Sequence, residues 1–171
     1  MSPSISRRLA IIALSTLTVI GTAIGAELGK PASAPVLTVT GKITHKNTEG
    51  AAVFDLAMLE KLPGQVTDTK TPWYKDKTRF EGPLGSELLK AVGATGTVMK
   101  ITALNDYAVE IPVKDFQAWP VILATRIGGK AISVREKGPL FVIYPFEQDP
   151  ALYSELYFGR SIWQVKSIEI L

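Results

Sequence analysis

The most polar cluster within apolar surroundings is Asn105-Asp106-Tyr107. A carboxamide, a carboxylate and a phenol in succession could rim a ligand cleft. The same Asn-Asp pair also suits a tight hairpin turn, because both residues tolerate positive φ. Five cations, Arg79, Arg126, Arg135, Lys137 and Arg160, are candidates for an anion site, since guanidinium and ammonium groups suit phosphate or carboxylate. Lys137-Gly138-Pro139 and Gly159-Arg160-Ser161 are its strongest members, as both lie in loops entering strands. Scattered surface charge would explain the same residues without a site. Trp73, Tyr74, Trp119, Tyr144, Phe146, Tyr153, Tyr157, Phe158 and Trp163 could line a pocket or a partner surface. Most read as core, with Tyr153, Tyr157 and Phe158 in a segment irregular enough to be exposed. His45, beside Lys46 and Asn47, has no nearby acid in the sequence to make it a catalytic base and reads as a solvated loop residue.

The 171 residues include no cysteine and one histidine. Disulfides, thiolate nucleophiles, iron–sulfur clusters, Cys-ligated zinc and covalent c-type haem are therefore outside its chemistry, as is a two-His metal site. The sequence has no phosphate loop, dinucleotide fingerprint, HExxH, GxSxG or EF-hand loop. Isolated acids give little basis for hydrolysis by paired carboxylates. Residue types and spacing assign no catalytic residue and no metal ligand.

The elements that must position these side chains begin after an N-terminal segment different in kind. Met1 to Arg8 form a short cationic head, Leu9 to Ile20 an apolar stretch, and GTAIGA a small-residue segment. That is the order of a secretory signal peptide over residues 1–26, with Ala23-Ile24-Gly25 or Ala26 at the cleavage site and a periplasmic product. An uncleaved anchor is the alternative, although Ser, Thr and Gly dilute the run too much to suit a hydrocarbon core of ~30 Å. Ser6-Arg7-Arg8 loosely matches a twin-arginine signal and equally an ordinary one. Residues 27–35 read as a flexible leader. Removing residues 1–26 takes the formal charge from +3 to +1, too little to attract nucleic acid or anionic lipid. Residues 36–171 suit one domain.

Within that domain, Val36 to Ile43 alternates with period two as a half-buried strand. Asp55 opens a short helix with Leu56, Leu59 and Leu62, stopped by Pro63-Gly64. Gln65 to Thr69 reads as a further strand. Pro83 stands at the first position of a second helix, with Leu84, Leu88, Leu89 and Val92 as its stripe and Gly93 as its αL terminus. Val98–Leu104 and Tyr107–Val113 form a hairpin through Asn105-Asp106, and Val121–Ile127 and Lys130–Val134 a second one through Gly128-Gly129. Leu140 to Tyr144 is a continuous apolar run, expected as a central strand buried on both faces. Phe146–Arg160 is expected to be an irregular loop, and Ile162–Ile170 the last strand. The class is α+β and strand-dominated, with a mixed β-sheet and two or three short helices.

Six segments in this order carry a resemblance: FDLAMLEKLP, TPWYKDKTRFEGPLGSELLKAVGA, ITALNDYAVEIP, VILATRIGGKAIS, KGPLFVIYPFE and GRSIWQVKSIEIL. Together they resemble the oxidoreductase molybdopterin-binding domain family, which has the sulfite oxidase fold, in its small exported single-domain form. The resemblance spans residues 36–171 and implies molybdopterin as the possible cofactor. It also implies that a protein cysteine thiolate ligates molybdenum in the segment just before the tryptophan matching Trp73. The nearest equivalent here is Thr69, whose hydroxyl is a hard, protonated oxygen rather than a soft thiolate.

The expectation is a non-catalytic exported module binding a small anionic ligand or an exported protein partner, with no cofactor, no nucleic acid and no stable membrane insertion. Its candidate ligand-binding residues are Thr69, Trp73, Asn105, Asp106, Tyr107, Arg126, Lys137 and Arg160. The alternative is a molybdenum-cofactor-dependent oxidoreductase lacking the protein thiolate.

Overall fold

The computed structural model describes residues 28–171, so the export signal expected over residues 1–26 lies outside the described residues. A five-stranded mixed sheet forms the base of the domain. Its spatial order is β2 (Ala52–Phe54), β1 (Leu37–Gly41), β11 (Val165–Ile170), β5 (Val98–Ala103) and β6 (Ala108–Pro112). β1 runs parallel to β11 and the other pairs are antiparallel. The expected alternation holds in β1, where Leu37 and Val39 are buried while Thr38 and Thr40 are half-buried.

A second, antiparallel sheet has the order β3 (Gly64–Thr71), β4 (Tyr74–Pro83), β8 (Arg126–Ile127) and β9 (Lys130–Ala131). Between the sheets lies a ribbon of β7 (Ile122–Ala124) and β10 (Phe141–Ile143). Every residue from Leu140 to Tyr144 is fully buried. Leu140, Val142 and Tyr144 enter the main core with the five-stranded sheet, while Phe141 and Ile143 join Phe80, Ile122, Ala124 and Ile132 in a second core. An uninterrupted apolar run is what a strand with a core on each face requires.

Among the described residues four short α-helices are present rather than two or three: α1 (Leu56–Glu60), α2 (Gly85–Ala91), α3 (Val113–Ala118) and α4 (Glu155–Arg160). Asp55 caps α1 by accepting a hydrogen bond from the Met58 amide at 2.8 Å. The helix expected to begin at Pro83 begins at Gly85, because Pro83 still pairs with Gly64 as the last residue of β4. Gly93 ends α2 in the left-handed region at φ 60°, as expected. The segment Phe146–Arg160 is not wholly irregular: a 3-10 turn at Pro150–Leu152 and helix α4 lie within it. Helix α4 fully buries none of its residues, so it leaves no apolar stripe to read. The strand expected over Val121–Ile127 divides at Thr125, where the chain passes from the ribbon into the second sheet.

Residues 28–35 have no helix or strand but are fastened to the domain. The amides of Ala32 and Ser33 and the Ser33 hydroxyl donate to Asp55 Oδ2 at 2.8, 2.9 and 3.2 Å. Asn47 donates to the Gly29 carbonyl at 2.7 Å.

Candidate functional site

Three turns converge on a cavity of about 310 Å³ lined by Trp73, Ala103, Asn105, Tyr107, Phe158, Gly159, Ser161, Ile162, Trp163 and Gln164. Each wall has a local cause. Trp73 sits with Pro72 in the two-residue tip between Thr71 and Tyr74, where β3 turns into β4. Asn105 and Tyr107 flank Asp106, which takes the left-handed backbone, φ 66°, that closes the β5–β6 hairpin. Phe158 and Gly159 come from α4, and Ser161 to Gln164 form the link into β11.

Trp73 is the hub of the aromatic packing. Its ring centroid lies 5.3 Å from Phe141, 6.0 Å from Trp163 and 6.1 Å from both Phe146 and Phe158. Phe158 and Trp163 meet it nearly edge-on, at 77° and 73°, so their planes turn corners rather than stack flat. Trp73 packs against both hydrophobic cores, so the cavity sits where they join. At the mouth, Tyr107 is 57 % exposed and Leu104 and Trp163 are also open to solvent.

The backbone around this cavity is held in an unusual state. Asp106, Lys137 and Gln164 are the three non-glycine residues with positive φ among the described residues, at 66°, 80° and 55°. All three belong to this neighbourhood. The Gln164 amide donates to the Lys137 carbonyl at 3.1 Å, and its side chain donates to the Val134 carbonyl at 2.7 Å. Such conformations cost about 1–3 kcal/mol each and persist where the surroundings over-determine them, often at functional sites.

Of the eight candidate residues, Trp73, Asn105 and Tyr107 line this one cavity. Asp106 turns away to Lys166 at 2.5 Å, and that hydrogen bond and charge hold its carboxyl below the usual carboxylate range. Arg160 donates to Asp115 at 2.7 Å, and the buried Tyr144 hydroxyl donates to the same carboxylate oxygen at 2.9 Å. Burial first, then the Asp115 charge, pushes the Tyr144 phenol far above its usual range. Arg126 makes a two-pronged pair with Glu60 at 2.9 and 3.1 Å, on the four-stranded sheet. Arg79 pairs with Glu81 and Asp68.

Lys137 packs its ammonium 5.5 Å from the ring centroids of both Tyr74 and Trp163. With Lys130 and Arg135 it lines a separate cavity of about 380 Å³. The five cations therefore do not gather into one anion site; three are matched to acids at three different places. Thr69 is 1 % exposed on the buried side of β3, with its hydroxyl donating to the Lys70 carbonyl at 3.2 Å. It faces a shallow hollow with Pro145 and Glu147, apart from the aromatic cavity. His45 is half-buried rather than solvated, its Nδ1 2.9 Å from the Ala91 carbonyl at the end of α2.

The sequence pattern counted Phe158 and Trp163 among the aromatics that could line a pocket, and placed Gly159 and Ser161 in a candidate anion loop rather than in this wall. It missed Ala103, Ile162 and Gln164, because the aromatic density after Tyr144 does not tell a wall from a core. Thr71, two residues before Trp73, carries a buried hydroxyl with no hydrogen-bond partner.

The side chains in this cavity do not fit the molybdenum cofactor implied by the sequence resemblance. No charged residue lines it, so a cofactor phosphate would meet no cation. Its polar groups are two carboxamides, two hydroxyls and two indoles, none of them a soft donor for a metal bound by sulfur. The chain has no thiol, and no group of three His, Asp or Glu side chains placed to hold a metal occurs among the described residues. The arrangement can instead enclose an uncharged, flat or apolar group and hydrogen-bond its edge through Asn105 and Gln164.

Among the described residues no helix is long and apolar enough to cross a membrane. No family model and no curated protein matches the chain. Among solved structures, the crystal structure of the sulfane dehydrogenase SoxCD from Paracoccus pantotrophus matches at 18 % identity and a TM-score of 0.57. The match covers 78 % of this chain and 37 % of that one, so the chain spans little more than a third of the protein it resembles. This likeness establishes a distant relation of fold: the strand-dominated α+β domain is one that also occurs in a dehydrogenase.

Proposed function

We propose that the chain is an exported, non-catalytic binding module, in which an oxidoreductase-type fold is retained and its aromatic cavity receives a small uncharged ligand or an apolar side chain of a protein partner. One observation carries this reading: the cavity at the junction of the two cores is built from aromatic rings and neutral polar groups, without an ionised or thiol side chain on its lining. Burying a charged ligand there would strip its water and return no counter-charge. An uncharged ring loses little water and gains contact with Trp73, Phe158 and Trp163. An anionic ligand, expected from the cations in the sequence, is disfavoured because Arg126 and Arg160 already serve Glu60 and Asp115.

The second reading is molybdopterin-dependent oxidation, supported by the sequence resemblance and by the fold shared with a dehydrogenase. Elemental and pterin analysis of the chain purified from its native exported fraction, beside a dye-linked reductase assay, separates the two. The binding-module reading expects far less than one molybdenum per chain and no turnover. It also expects a co-purifying small molecule or partner that is lost in Tyr107→Ala, a change at an exposed residue outside both cores. Near-stoichiometric molybdenum with turnover would overturn it.

A further inference from the structure

A second cavity lies away from the aromatic pocket, between the leader, α1 and α2, with a volume of about 560 Å³. Its chemistry is the opposite of the first. Leu28, Met58 and Leu62, all half-buried, give it an apolar floor over the buried Phe54, while Lys30, Lys61 and Lys90 stand around the edge. Glu87 is the one acid on the lining, and its exposed contact with Lys90 is long, at 3.8 Å. Lys30 and Lys61 form no ion pair among the described residues. The wall that carries Lys30 is not loose, because the Asp55 carboxylate fastens the chain at Ala32 and Ser33. Asp55 also caps α1, which supplies Met58, so one side chain sets the distance between wall and floor.

An apolar floor edged by ammonium groups, of which Lys30 and Lys61 form no ion pair among the described residues, matches a molecule that is itself divided in this way. A neutral hydrocarbon would leave the lysines without a partner, and a small inorganic anion would leave the floor wet. Lysine suits such an edge because its alkyl stem covers apolar surface while its charge stays at the rim. The volume lies within the range of small-ligand sites, roughly 300–1,000 Å³.

From this charge and shape complementarity we infer that the groove is a binding site for a single-chain anionic amphiphile of the fatty-acid carboxylate type. The alkyl chain lies on Leu28, Met58 and Leu62, and the carboxylate meets Lys30 and Lys61. This site does not depend on the reading of the aromatic pocket.

The test is calorimetric titration of the purified chain with dodecanoate below its micelle concentration. The expected result is saturation at one ligand per chain. Dodecanol and acetate, which carry the chain and the head separately, are each expected to bind at least roughly tenfold more weakly. Lys30→Glu/Lys61→Glu removes two exposed cations without touching the core and should weaken dodecanoate by roughly tenfold or more. Lys100→Glu/Lys114→Glu makes the same charge change elsewhere on the exposed surface and should leave it within about twofold, as should Tyr107→Ala at the aromatic pocket. Equal weakening by both charge reversals, loss with Tyr107→Ala, many ligands per chain, or binding only to phosphatidylglycerol vesicles would each overturn the assignment.

Discussion

Two buried polar side chains near the aromatic pocket have opposite fates, and this sets what their removal should do. Asp115 is 5 % exposed and serves both the Tyr144 hydroxyl and the Arg160 guanidinium, tying α3 to the residue that follows β10 and to the end of α4. Removing the carboxylate leaves a poorly solvated guanidinium and a buried phenol without an acceptor. Asp115→Ala should therefore cost about 3 kcal/mol in urea unfolding, the usual scale for breaking a buried pair. Tyr144→Phe removes one hydrogen bond and leaves the ion pair, so about 1 kcal/mol is expected. A smaller loss for the aspartate than for the tyrosine would show that the pair is not what holds α4. Thr71 is the contrary case, with a hydroxyl buried and unpartnered. Valine has the same shape without the unsatisfied oxygen, so Thr71→Val should raise the unfolding free energy by about 1 kcal/mol. A destabilisation of that size would mean that the hydroxyl meets a partner in solution.

At the scale of elements, Asp55 is the joint between the leader and α1. The Met58 amide first, and then those of Ser33 and Ala32, hold its carboxyl below the ordinary value of 3.8 despite the opposing effect of burial. A carboxyl depressed by folding contributes stability that is present above its unfolded pKa and is lost as pH falls through the folded one. Protection of the amides at residues 28–36, measured as exchange relative to the intrinsic rate at each pH, should therefore be flat from neutral pH down to about 4 and be lost to faster exchange only below that. Asp55→Ala should show the fast exchange already at neutral pH, and a leader equally protected in that variant would show that the carboxylate is not its anchor. Helix α4 tests the opposite kind of site. A Cβ at Gly159 would meet nothing within 4 Å, and its backbone is not left-handed, so Gly159→Ala should stabilise by about 0.5–1 kcal/mol in thermal melts. The same elements show what was legible in advance. Strand β1, the β5–β6 hairpin and the run Leu140–Tyr144 announced themselves because their apolar residues repeat with the period of the structure. Strand β4 did not: Tyr74–Pro83 exposes charged residues on a sheet surface, and Phe80 and Pro83 alone are fully buried. Helix α4 gave no stripe because it buries no residue fully, with Tyr157 and Phe158 only half-buried against the core. Trp73, Asn105 and Tyr107 were legible as pocket residues by type and turn chemistry, whereas Arg126 and Arg160 were not separable from it. Their acidic partners lie 66 and 45 residues away in sequence, a distance no local pattern spans.

The described residues form two sheets sharing one buried ribbon, and that arrangement bears on whether the thiolate implied by the sequence resemblance could be supplied at Thr69. Along β3, inward and outward positions alternate, so Thr67, Thr69 and Thr71 lie on the buried side. Trp73, beyond the strand, is turned by the Pro72 tip into the aromatic cavity instead. Thr69 and Trp73 are thus four residues apart in sequence but face different hollows. A thiol placed at Thr69 would replace a hydroxyl that now donates to the Lys70 carbonyl, in a position 1 % exposed. Burial there disfavours the thiolate, and the hollow that Thr69 lines is not the aromatic cavity. Thr69→Cys is therefore expected to remain an inert buried thiol. In the folded protein it should react with a thiol reagent far more slowly than in denaturant, and the purified variant should carry no more molybdenum than the parent chain. Turnover in a dye-linked assay should stay at background, since the groups that orient and tune a ligated metal would also be missing. Rapid labelling in the folded state would show that β3 opens at this position. Stoichiometric molybdenum with turnover would show that one sulfur atom is all that separates this domain from catalysis. The geometry argues against that outcome: the sulfur would sit in a different hollow, and the cavity lining would still offer no cation to a phosphate.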